Sequence, residues 1–168
     1  IAAIGTAQTQ PVFINSGSLE IRADDTFTRW TNTEQPRFIN TGQITKTAGT
    51  GTTSIVWPID NDGSIDVVTG TLNATGDAGA AAQTGSFAGT GAAATLSLNA
   101  GKFNLESAQF AGNVRVDQAN VTLSGASTAS GKLTVAQNAN VNGAGSLTHS
   151  GELAISGGIF AGSGTTTV

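Results

Sequence analysis

The sequence contains no cysteine, methionine or tyrosine, and it has a single histidine. Without cysteine the chain forms no disulfide and offers no thiolate to a metal ion. The histidine, His149, lies between Thr148 and Ser150, and we expect it to be an outward-facing strand residue. Because the usual metal ligands and general acids and bases are so scarce, we expect a protein that is not an enzyme and that has no cofactor.

Charge is scarce as well. Charged residues make up only 11% of the chain and the formal net charge is -4. Binding to a phosphate backbone requires a basic surface, so we expect no nucleic-acid partner. Since no apolar run reaches the ~18 residues that a membrane-spanning helix needs, we also expect a chain that does not span a membrane.

Small and polar residues dominate instead, and short segments of alternating apolar and polar residues recur among them. Examples are Ser-Ile-Asp-Val at 64–67 and Leu-Thr-Val at 133–135. Alternation with period two is typical of half-buried β-strands, and these segments are too short and too often interrupted by glycine for helices. The sequence therefore predicts an all-β fold.

One sequence motif repeats along the chain. Phe-Ile-Asn-Ser-Gly-Ser-Leu at 13–19 returns as Phe-Ile-Asn-Thr-Gly-Gln-Ile at 38–44, and again, loosened, as Ile-Asp-Asn-Asp-Gly-Ser-Ile at 59–65. A period of ~20–25 residues is that of one coil in a solenoid. We predict one β-solenoid domain over residues 1–168, a parallel β-helix of about seven or eight coils at ~22 residues each. A β-sandwich with regular turns is the alternative.

Within this motif we predict a structural corner, at which the chain turns from one strand to the next. Phe or Ile would point inward, asparagine amides would stack from coil to coil in a hydrogen-bonded ladder, and glycine would turn the chain. The predicted corner residues are Asn15, Gly17, Asn40, Gly42, Asn61 and Gly63.

A polar insertion at 23–37 makes the first coil longer than the next. It contains Trp30 together with Asp24, Asp25 and Glu34. An indole face stacks on sugar rings while carboxylates bind hydroxyl groups, so these four residues are candidate glycan contacts. The alternative is a solvated loop whose tryptophan covers the flank of the core.

Closely spaced carboxylates at Asp60, Asp62 and Asp66 are compatible with a calcium loop, because hard cations prefer oxygen ligands. The segment also aligns, residue for residue, with the two earlier copies of the repeated motif. We therefore interpret it first as a third structural corner.

Several stretches resemble the β-helical repeats of large bacterial surface proteins, namely autotransporter passengers and filamentous-haemagglutinin-like adhesins. They are Asn-Asp-Gly-Ser-Ile-Asp-Val at 61–67, Gly-Thr-Leu at 70–72, Gly-Ala-Gly-Ser-Leu at 143–147 and Gly-Ile-Phe-Ala-Gly-Ser-Gly-Thr at 158–165. The resemblance implies a right-handed parallel β-helix, an extracellular or bacterial cell-surface location, and a role in adhesion or surface structure. It assigns no catalytic residue.

Two hypotheses of function follow. In the first, the chain is a structural or adhesive β-solenoid module of a surface protein or extracellular fibre, and it acts by display and by stacking. Unpaired strand edges at a solenoid end favour self-association or stacking on neighbouring repeats. In the second, the chain is a carbohydrate-binding or glycan-cleaving β-helix that uses the Trp30 insertion, with a surface glycan as its partner.

Overall fold

The computed structural model describes residues 11–28, 36–77, 79 and 81–168. Over these ranges the chain forms β-strands and no helix. The strands are β1 (Val12–Asn15), β2 (Ser18–Ile21), β3 (Thr26–Phe27), β4 (Arg37–Asn40), β5 (Gln43–Lys46), β6 (Thr52–Asn61), β7 (Ser64–Val67), β8 (Thr71–Gly76), β9 (Ser86–Gly89), β10 (Thr95–Leu105), β11 (Gln109–Val116), β12 (Asn120–Leu123), β13 (Ala126–Ala136), β14 (Asn140–Gly143), β15 (Ser146–His149), β16 (Glu152–Ser156), β17 (Ile159–Phe160) and β18 (Thr166–Thr167).

Every pairing between these strands is parallel and joins segments of successive coils. The result is a β-solenoid, and the prediction of an all-β solenoid is confirmed. The sandwich alternative is wrong, because sandwich sheets are built from antiparallel strands.

The number of coils differs from the prediction. The chain winds about six turns, fewer than seven or eight. The first coil takes 25 residues from Phe13 to its register partner Phe38, because the insertion lies within it. The terminal stretches add no complete turn: β17 and β18 have two residues each, and residues 1–10 lie outside the described residues.

Three faces run along the solenoid. Face A contains β1, β4, the end of β6, the end of β10, β12, β14 and β17. Face B contains β2, β5, β7, β9, the starts of β11 and β13, β15 and β18. Face C contains β3, the start of β6, β8, the start of β10, the ends of β11 and β13, and β16. The chain visits them in the order A, B, C.

Strand alternation builds the core. In β7, Ile65 and Val67 are buried while Ser64 and Asp66 face solvent, as the period-two pattern predicts. Because the register is parallel, each inward position stacks on the same position of the next coil, and we call such a stack a column. Fully buried members include Phe38, Ile44, Ile55, Ile59, Ile65, Leu72, Phe87, Leu96, Leu98, Phe103 and Leu105.

No helix long and apolar enough to cross a membrane occurs in the described ranges.

Candidate functional site: a polar corner and two open ends

Asparagine amides form a ladder at the corner where face A turns into face B. Asn15 Nδ2 donates to Asn40 Oδ1 at 2.8 Å, and Asn40 Nδ2 donates to Asn61 Oδ1 at 2.6 Å. Asn61 Nδ2 donates onward to the Ser86 carbonyl at 3.2 Å. Asn40 and Asn61 are fully buried, so the ladder supplies the partners that buried amides require.

A column of glycines stands beside the ladder. The N–H groups of Thr41 and Gly42 both donate to the Asn15 carbonyl, at 2.9 and 3.0 Å. A Cβ at Gly42 would overlap the carbonyl oxygen of Gly17, and one at Gly63 would overlap that of Gly42. At Gly17, which starts the column, a Cβ would meet no atom within 4 Å. Close backbone stacking therefore requires glycine at Gly42 and Gly63.

Farther along the chain the corner changes its chemistry. Gln83 follows Asn61 in the stack, and its Oε1 accepts from the Asn61 N–H at 3.2 Å. The next residues in this column are Leu105, Leu123 and Gly143. The buried Nε2 of Gln83 has no hydrogen-bond partner among the described residues. The amide column thus ends at Gln83, and an aliphatic one continues.

An ion pair between the buried Lys46 and the exposed Asp24 fixes the start of the insertion. Lys46 has 0% of its side chain exposed, and its Nζ donates to Asp24 Oδ1 at 2.8 Å and to the carbonyls of Ala48 and Gly49 at 2.7 and 3.1 Å. The Gly51 N–H donates to Asp24 Oδ2 at 2.9 Å. The hydrogen bond from Lys46, followed by that from Gly51, holds the pKa of Asp24 below its usual range. The carboxylate is thus already engaged by the protein.

Of the other candidate glycan contacts, only Asp25 lies among the described residues. Asp25 is exposed, and its side chain accepts from the N–H of Thr26. Trp30 and Glu34 lie outside the described residues. Within the predicted insertion, residues 26–27 form β3 and pair with β6, so part of it belongs to the solenoid wall.

A tryptophan that sequence reasoning did not single out lies near the N-terminal end. Trp57 packs against Phe27, with ring centroids 6.2 Å apart, and against Phe13 at 6.4 Å. Its Nε1 donates to the Thr28 carbonyl at 3.0 Å. Pro58 is the feature of the sequence that could have drawn attention to Trp57. At Pro58 the register of β6 against β8 shifts and the chain turns from face C to face A.

The acidic segment does not converge on one point. Asp62 Oδ1 accepts from the Thr84 N–H at 2.9 Å, and Asp66 accepts from the Thr90 hydroxyl at 2.8 Å. Asp60 lies near Arg37, whose Nε donates to Asp77. Burial, and then the charge of Asp62, raises the pKa of Asp60. Among the described residues no three metal-ligating side chains are grouped to hold an ion.

His149 is buried, with 4% exposed, so the prediction of an outward-facing residue is wrong. It stacks on Ala129, in a column where Phe110 lies one coil before Ala129 and Phe87 lies two coils before it. Because Ala129 is small, it leaves room for the imidazole. The Nδ1 atom accepts from the Gly151 N–H at 3.1 Å, which satisfies one ring nitrogen.

Both ends of the described solenoid leave inward-facing apolar residues partly uncovered. At the N-terminal end Phe13 is 41% exposed, and at the C-terminal end Ile155 is 55% exposed. Their register partners one coil inward, Phe38 and Val135, are fully buried. Among the described residues, Phe13 and Ile155 thus lack the further coil that covers Phe38 and Val135.

The C-terminal end also contains a hollow of about 230 Å³. It lies at the corner between faces A and B, where Gly143 and Gly162 lack the side chain that Asn or Leu supplies in earlier coils. Leu123, Val141 and Phe160 form its apolar wall.

Comparisons with protein-family models, with curated proteins and with solved structures find no match to the chain. The fold and the geometry of its residues therefore carry the functional argument.

Proposed function

We propose that the chain is a structural and adhesive module of a bacterial surface protein or extracellular fibre. In this role it is a non-catalytic rod that displays its side faces and stacks on adjacent repeats or subunits through its ends. The observation that carries the proposal lies at the two ends of the described solenoid, where strands with no further partner among the described residues border partly exposed core residues. Such edges pair readily with another strand.

Two features of the side faces support this role. Charged groups there are few and largely paired with one another or with hydroxyl groups, for example Arg115 with Asp117 at 3.5 Å and Lys132 with Glu152 at 2.9 Å. Parallel backbone pairing also joins successive coils along the described ranges.

Negative-stain imaging of the purified chain tests the proposal. About six turns at ~4.8 Å per coil give a rod roughly 30 Å long, or longer if rods join end to end. Globular particles without a rod axis would contradict it. Glycan-array binding that disappears in Trp30→Ala would instead favour a carbohydrate-binding role.

A further inference from the structure

Two polar side chains in the core of the late coils have hydrogen-bonding atoms without a partner. Ser127 is 1% exposed and His149 is 4% exposed. Ser127 Oγ and His149 Nε2 are both buried, and neither has a hydrogen-bond partner among the described residues. Buried polar atoms in proteins are nearly always hydrogen-bonded, either to the protein or to ordered water. These two atoms therefore point to a bound molecule between them.

The register of face B places the two side chains close together. His149 pairs with Ala129, and Ser127 lies two residues before Ala129 on β13. Adjacent strands are ~4.8 Å apart and residues i and i+2 of a strand are ~6.6 Å apart, so the Cα atoms of Ser127 and His149 are about 8 Å apart. Both side chains point into the core, because they alternate with the exposed Thr128 and Thr148. One water joins polar atoms that are up to about 6 Å apart, which suits this separation.

The hydrogen bond of the other ring nitrogen determines what Nε2 offers to a ligand. His149 Nδ1 accepts from the Gly151 N–H at 3.1 Å. A nitrogen that accepts carries no proton, so the proton of the neutral ring is on Nε2, which is a donor. The Ser127 hydroxyl both donates and accepts. A ligand between them must therefore accept from an imidazole and form a hydrogen bond with a hydroxyl group.

This part of the core has small side chains where earlier coils have aromatic rings. The column of Phe87 and Phe110 continues with Ala129. Ala108, whose carbonyl accepts from the Thr128 N–H, lies one coil before Ser127. Replacement of a phenylalanine by an alanine leaves volume that the surrounding side chains fill only in part. A small ligand therefore has room beside the two polar atoms.

We propose that one ordered water molecule is bound in the core between Ser127 and His149. The water accepts the Nε2–H of His149 and forms a hydrogen bond with Ser127 Oγ, so both buried atoms gain a partner. Water is the ligand that fits, because the site is polar, is enclosed by the core and offers two hydrogen-bonding groups. The bound water links β13 to β15 through the core, as direct amide hydrogen bonds link the early coils at Asn40 and Asn61.

A crystal structure at atomic resolution is the direct test. We expect one water whose oxygen lies within about 3.2 Å of both Ser127 Oγ and His149 Nε2. A direct hydrogen bond between these two atoms would overturn the proposal. The absence of a water that contacts both of them would overturn it as well.

His149→Phe tests the site in solution. This substitution continues the aromatic column of Phe87 and Phe110, and it removes both ring nitrogens. Oxygen-17 magnetic relaxation dispersion counts the long-lived waters of a protein, and we expect this variant to have one fewer than wild type. Thr148→Val, at the exposed neighbouring position, is the matched control and should leave the count unchanged. Equal counts in wild type and His149→Phe would overturn the proposal.

Ser127→Ala distinguishes a bridging water from one that is held by His149 alone. Loss of the hydroxyl removes one hydrogen bond to the water, so the residence time of the water should fall by at least about 5-fold. Ser130→Ala, at an exposed position on the same strand, is the control and should leave the residence time unchanged. An unchanged residence time in Ser127→Ala would overturn the bridging role.

Far-UV circular dichroism checks that each variant is folded. If His149→Phe fails to fold, the comparison of Ser127→Ala with Ser130→Ala still decides whether the water is bound between the two side chains.

Discussion

The early and late coils close the corner between faces A and B with different chemistry. At Asn15, Asn40 and Asn61 the inward residue is an amide. Asn15 and Asn40 each donate to the amide of the next coil, and Asn61 donates to the Ser86 carbonyl. At Leu105 and Leu123 the same position is aliphatic and needs no partner. The same coil geometry therefore accommodates either an amide column or an aliphatic column at this corner.

The two kinds of column differ in what they tolerate. An amide column is stable only if each member has its neighbour, because an unpaired buried amide loses its hydrogen bonds to water without replacement. An aliphatic column tolerates a missing member at the cost of a cavity, as Gly143 shows beside the hollow at the C-terminal end.

The ion pairs of the early and late coils also differ, in how far they are buried. The early coils bury Lys46 against Asp24, whereas the ion pair between Lys132 and Glu152 in the late coils is about half exposed. Exposed pairs contribute little to stability, so electrostatics should matter chiefly in the early coils.

The largest expected effect is that of Gly63→Ala, which tests the close backbone stacking of the early corner. Its Cβ would overlap the Gly42 carbonyl oxygen, so we expect a loss of about 3 kcal/mol or more in the free energy of unfolding. Urea denaturation measures it. Gly17→Ala, in the same column with open space around its Cβ, should cost less than about 0.5 kcal/mol. Equal costs would show that the column does not restrict its glycines.

Lys46→Ala should cost about 3 kcal/mol, because it removes a fully buried aliphatic stem and leaves a cavity. Lys46→Met keeps the stem and loses only the ammonium group, so about 1 kcal/mol is expected from urea denaturation. If the two variants lose equal stability, the bonds from Nζ dominate over packing.

Asn40→Ala should cost about 2 kcal/mol, because it leaves the buried Asn61 Oδ1 and one donor bond of Asn15 without their partner. Asn73→Ala, a half-buried outward position on β8, is the control and should cost less than about 0.5 kcal/mol. Chemical denaturation compares them. A negligible cost at Asn40 would mean that the ladder does not stabilise the corner.

Leu105→Asn should be milder than an ordinary polar substitution in the core. The new amide would stack on Gln83, whose Nε2 lacks an acceptor among the described residues, and so would extend the ladder by one coil. We expect it to cost at least about 1 kcal/mol less than Leu98→Asn, a fully buried control with apolar neighbours in its column. Equal losses of stability would show that an amide at position 105 does not pair with Gln83, so that the ladder cannot be extended beyond Gln83.

The smallest expected effect is that of pH on Asp60. Its pKa is raised in the folded state, so the folded chain holds this proton more tightly than the unfolded chain, and ionisation weakens the fold as pH rises through the raised pKa. Asp60→Asn should therefore gain stability relative to wild type between about pH 4 and pH 7. Urea midpoints across this range measure it, and a relative loss with rising pH would show that attraction to Arg37 outweighs burial.

The solenoid class was predictable because its signals are local. Alternation in segments such as 64–67 fixes which residues face inward, and the spacing of Gly17, Gly42 and Gly63 reports the coil length. The number of turns was overestimated, since division by a mean period counts terminal stretches as coils. The candidate glycan contacts could not be assessed from spacing, because Asp24 has its partner, Lys46, 22 residues away.

By itself the sequence determined the strand pattern, the coil period and the residues able to form a corner. Only the tertiary structure decided which polar groups are buried: that the buried Lys46 reaches Asp24, and that His149 points inward. The physical reason is that local alternation sets the direction of a side chain, whereas its burial and its partners depend on the coils stacked above and below. Those neighbours lie some 20 residues away along the chain.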